Sequence, residues 1–136
     1  MKPDILNRED IILLVNTFYE KVQVDNTIGF IFNTIAQVNW DKHLPIMYDF
    51  WENTLFFRGS YSGNPVKLHT HLHHLMPLTK VHFDQWNSLF TETVDDLFEG
   101  EKANLAKQRA QSISLVLQQK LAQANSLEQV FNQKTS

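Results

Sequence analysis

Apolar residues recur at spacings of three and four along most of the chain, a period that predicts helices. In NREDIILLVNTFYEKV, Ile11, Leu14, Phe18 and Val22 share one face, Asn7 is placed to cap the helix, and Glu9 and Asp10 fall in its first turn. Gly29 interrupts the pattern in DNTIGFIFN, where Phe30, Ile31 and Phe32 predict a tight corner packed inward. NWDKHLPIMYDFWENTLFF predicts a helix from Asn39 to Phe57, with Pro45 in an early turn or at a kink. RGSYSGNP then reads as a Gly-punctuated loop, VKLHTHLHHL as a short histidine-rich helix, and MPLT as a break. Thr79 can cap the next helix, KVHFDQWNSLFTETVDDLF, which the spacing ends at Gly100. A last helix starts at Glu101 and carries Leu105, Ala106, Ala110, Ile113, Leu117 and Leu121 inward. Beyond about Ala124 the chain turns polar and is expected to fray. No segment alternates with period two, so the expected class is all-α.

The 136 residues, 43% of them apolar, suffice for one domain with a core from about residue 7 to 122, and are too few for two. A net charge of −3 and singly scattered basic residues exclude the field that attracts nucleic acid. With no cysteine there is neither a disulfide framework nor thiolate chemistry. No apolar run approaches the roughly 20 residues needed to cross a bilayer, and nothing at the start resembles a signal peptide. A cytoplasmic protein, monomeric or weakly dimeric and with no membrane partner, is the expectation. Ten Phe, three Trp and three Tyr in so short a chain suggest that something large or flat needs lining.

Chemistry concentrates in two places. NPVKLHTHLHHLMPL holds four of the six histidines without a carboxylate or cysteine. On the Asn39 to Phe57 helix, His43, Met47, Phe50 and Trp51 share a face at i, i+4, i+7 and i+8. Taken alone, that face is a core stripe with a histidine at its edge. The order of features along the chain is more specific. FYEKV is followed by an apolar corner ending in IFN, by H-x7-W in a helix, by Y-x-G-x-P-x3-H, and by MPLT-x2-HF-x2-W. This order resembles the group III truncated haemoglobins over roughly residues 10 to 120, and the absence of any Gly-Gly pair agrees with that group.

The resemblance implies a two-over-two helical sandwich around a b-type haem and assigns the proximal iron ligand to His69. A neutral imidazole suits that role, one ring nitrogen binding iron while the other donates to a carbonyl. His73, four residues on, would approach a propionate; a shift of register would hand the iron to His71 or His73. Tyr19, His43 and Trp86 are implied as the polar distal residues, since a phenol or indole donor stabilises the partial negative charge of a bound diatomic ligand. Phe32, Met47 and Phe50 would lie against the haem, and Arg58, Tyr61, Lys67 and His73 are the local candidates for propionate partners. The function so implied is binding of dioxygen, carbon monoxide or nitric oxide, in ligand chemistry, detoxification or sensing more than delivery. Nitric oxide dioxygenation or peroxide-linked oxidation would need a separate reductase, because the chain has no G-x-G-x-x-G fingerprint. Two other classes stay open: a zinc site built on His69, His71, His73 and His74, though H-E-x-x-H is missing, and a cofactor-free helical interaction module.

Overall fold

The computed structural model describes residues 1–35, 38–57 and 78–135, with 123–135 as backbone only. Among these residues there are four α-helices and no strand: α1 Arg8–Gln23, α2 Trp40–Phe56, α3 Lys80–Leu97 and α4 Glu101–Thr135. A π-helical turn, Ile31–Ile35, stands between α1 and α2. Helix α1 packs on α2 and α3, and α4 packs on α3 and α2, so each helix touches two others in the two-over-two arrangement. The histidine-rich segment, with His69, His71, His73 and His74, lies outside the described residues, as do Arg58, Tyr61 and Lys67.

Local chemistry explains where the helices begin. The Asn7 side chain accepts the Asp10 N–H at 3.0 Å and caps α1 as its sequence predicts. Thr79 precedes α3, and there the His82 ring joins the cap: Nδ1 accepts the Thr79 backbone N–H at 2.9 Å, the place a Glu or Gln takes in an ordinary capping box. Helix α3 stops at Leu97 in an extended Phe98, so Gly100 is not its terminal residue. Instead Gly100, at φ 135°, belongs to the start of α4. A side chain there would come within 2.6 Å of Asp4. The Asp4 carboxylate does the capping from a distance, accepting the Lys102 and Ala103 N–H groups at 3.0 and 2.9 Å. Helix α4 runs from Glu101 to Thr135.

The core is built on aromatic rings. Phe90 is fully buried and stacks on Trp51 (4.8 Å between centroids, 15°) and Trp86 (5.8 Å, 8°), while Phe18 meets it edge-on at 5.3 Å. Helices α1, α2 and α3 therefore share one aromatic junction. Trp51, placed by sequence on the face of His43, turns into this junction and is 4% exposed. At the corner, Ile28 and Ile31 are buried but Phe30 is 43% exposed, so the inward packing expected of all three apolar residues holds only for Ile31 and, in part, Phe32.

Burial pushes the Asp4 carboxyl up, but three backbone N–H donors and the Lys102 ammonium outweigh it and leave it below the usual 3.8. A carboxyl lowered in the folded state stabilises above its unfolded pKa, and that contribution is lost as pH falls through the folded value. Asp4→Ala should cost about 1 kcal/mol at neutral pH, as lost helix caps do. The gap between variant and parent in urea unfolding should close below about pH 4. A gap unchanged from pH 7 to 3 would mean that the carboxylate is not the stabilising group.

Candidate functional site

Tyr19 sits on the buried face of α1 beside Phe18, because the period that buries Leu14, Val15 and Val22 brings both rings inward. His43 follows from the first turn of α2, whose N–H closes onto Asn39 O at 2.9 Å. The two rings meet at 5.3 Å and 80°. Trp40, three residues before His43 and so on the same side of α2, contacts Tyr19 at 5.2 Å and His43 at 5.7 Å. Phe32, from the π-helical turn, lies 6.1 Å from Tyr19 and stacks on Trp40 at 6.0 Å and 26°. Tyr19, Trp40 and His43 thus form a mutual three-ring contact with Phe32 closing one side.

The corner that delivers Phe32 is held by backbone chemistry. Asp25 Oδ2 accepts the Thr27 and Ile28 N–H groups at 2.9 and 3.0 Å, and its Oδ1 accepts the Gln85 side-chain N–H of α3 at 2.7 Å. Gly29 runs so close to the end of α1 that a Cβ would stand 2.8 Å from Gln23 O and 3.0 Å from Val22 O. Only glycine allows that approach.

Of the residues expected at the site, Tyr19, Phe32 and His43 come together. Met47 and Phe50 are half-buried against the same core, Phe50 lying 5.2 Å from Trp51. Trp86 joins through Phe18, whose ring it meets edge-on at 5.6 Å, and among the described residues no ring contact links it to Tyr19 or His43. Sequence reasoning missed Trp40, although the i, i+3 spacing to His43 was there to be used. Two surface depressions lie elsewhere. One is lined by Asp84, Asn87, Thr91 and Gln111, the other by Leu78, Phe83 and Leu121.

Burial alone pushes the Tyr19 hydroxyl above its ordinary 10.0, and no charge or hydrogen bond shares in the shift. The phenol is therefore held neutral, a donor with its proton in place. A tyrosine raised in the folded state contributes stability that is full below the unfolded pKa and is lost as pH rises above it. Wild type should lose more stability than Tyr19→Phe between about pH 9.5 and 11, followed by equilibrium unfolding. Parallel losses in the two proteins would show that Tyr19 is not desolvated.

No protein-family model matches the chain. A curated relative does: the group 3 truncated haemoglobin of Campylobacter jejuni is 35% identical over 117 residues, which cover 84% of this chain and 90% of that protein. The crystal structure of a group III truncated haemoglobin from the same organism superposes with a TM-score of 0.77, covering 89% of this chain and 95% of that one. Identity at this level over nearly the full length of both, on the same helical fold, makes the chain a member of the group III truncated haemoglobin family.

Proposed function

We propose that the chain binds a b-type haem and takes a diatomic ligand on the side of Tyr19 and His43. The coarse part of this reading, a globin that carries haem and binds diatomic ligands, comes with the family. The finer part is carried by one observation: a buried phenol whose ionisation burial disfavours, beside a histidine in an otherwise aromatic and apolar setting.

The residues present fit the group. Phe32, Met47 and Phe50 offer apolar surface to a flat macrocycle, and the Tyr19 O–H is a donor without a charged or hydrogen-bonding influence among the described residues. His69 would hold the iron, with His73, Arg58, Tyr61 and Lys67 as candidates for the propionates. Haem, when bound, would supply a redox-active iron able to take a small diatomic ligand. Tyr19 would donate its O–H toward the partial negative charge of a diatomic ligand, and the surrounding rings would exclude water that weakens the bond. His43 adds a second polar edge, and Trp86 an indole N–H from α3. Donors of this kind slow ligand release, which favours ligand chemistry, detoxification or sensing over delivery. Electrons for turnover, whether in nitric oxide dioxygenation or peroxide-linked oxidation, would come from a separate reductase.

The purified protein should show a Soret band that shifts on reduction and again with carbon monoxide, and His69→Ala should lose or alter it. A colourless protein that takes up no added haem would overturn the reading. A variant with spectra identical to the parent would move the iron to His71 or His73. Replacing Tyr19 by Phe removes a hydrogen bond to a charged acceptor of about 1.5–3 kcal/mol, so dioxygen release should quicken roughly 10- to 150-fold. An unchanged rate in stopped-flow ligand replacement would refute the role of the phenol.

A further inference from the structure

We infer that Trp40 is a positioning residue of the ligand side, holding Tyr19 and His43 in one mutual orientation. The inference rests on the functional reading above, and it begins with how weakly the backbone itself fixes His43. Helix α2 starts at Trp40, and Asn39 before it makes no side-chain cap hydrogen bond. The helix N-terminus therefore lacks the satisfaction that Asn7 gives α1. Five residues after Trp40 comes Pro45, which has no N–H to return to Asp41 O. His43 lies between these two defects, tied back by its own N–H and that of Lys42 to the single carbonyl of Asn39. A first turn built this way needs side-chain packing to fix it.

Trp40 provides that packing. Its indole stacks on Phe32 and meets both Tyr19 and His43, with all three contacts between 5.2 and 6.0 Å. Phe32 is in turn set by the clamped corner at Asp25 and Gly29. Rings link the corner to His43 by way of Trp40 and by way of Tyr19, and of these two Trp40 is the one that belongs to the first turn of α2 itself. Removing the indole would leave Tyr19 in place on α1, where the rest of the core secures it, and would free the first turn of α2 to carry His43 away. The change would be read as a broken Tyr19–His43 pairing, not as general unfolding.

The test compares wild type, Trp40→Ala and Trp40→Phe, all as purified. The readings are the side-chain NMR resonances of Tyr19 and His43 in the carbon monoxide complex, the C–O stretching band, and the dioxygen release rate. Trp40→Ala should shift both residues' resonances and split or displace the C–O band. Its release rate should rise roughly tenfold, the effect of losing about one hydrogen bond. Trp40→Phe, which keeps a ring against Phe32, should return all three toward wild type. Resonances and band unchanged in Trp40→Ala would overturn the inference, as would a Trp40→Phe variant no closer to wild type than Trp40→Ala. Should the alanine variant lose cooperative unfolding, Trp40→Leu takes its place with the same readings. Failure of the haem reading is separable: wild type would then show no Soret or C–O band, and the resonances compared in the haem-free proteins would still decide whether Trp40 orders the pair.

Discussion

One aromatic ring fixes the relative placement of three helices. Phe90, fully buried on α3, lies flat against Trp51 of α2 and Trp86 of its own helix, and receives the edge of Phe18 from α1. Aromatic pairs contribute about 0.5–1.5 kcal/mol each beyond the area they bury, so three around one ring are a sizeable part of the roughly 5–15 kcal/mol that holds a domain folded. Their geometry matters more than their sum. Stacked and edge-on contacts have preferred angles, which lock rotation of each helix about its axis as well as its distance from the others. Tyr19 follows Phe18 in sequence, and Trp86 stands one turn before Phe90. The orientation of Tyr19, and of Trp86 as a member of the junction, is therefore set by packing around Phe90.

The helices and most of their caps were readable because they depend on short-range patterns. Asn7 and Thr79 do what their positions predict, and the three- and four-residue spacing selects the buried face of α1. The family was readable too, from an ordered set of residues spread over the chain. What could not be read was set by contacts between distant segments. Gly100 looked like the end of α3 because glycine commonly ends helices, whereas here its missing side chain makes room for Asp4. His82 as a cap partner has no place in the usual list of capping residues. Trp51 shares a helical face with His43 only on a coarse projection, and a deep partner on α3 draws it aside.

Trp40 shows the same limit from the other side. Its spacing to His43 was visible, yet an aromatic residue at the first position of a helix carries no signal that distinguishes a packing role from a positioning one. That distinction arises only when Phe32 and Tyr19 arrive beside it from other elements. Tyr19 and His43 are consequently packed by residues that a search for donors, acceptors and metal ligands passes over.

The cap that Asp4 makes on α4 bridges 98 positions to reach Lys102, a span across which closing the chain costs considerable entropy. Such a contact repays that cost only after the intervening helices have packed, which ranks it among the late events of folding. Interactions absent from the transition state act on the unfolding rate and leave the folding rate nearly untouched. A carboxylate near the beginning of the chain is thereby expected to slow unfolding more than it speeds folding.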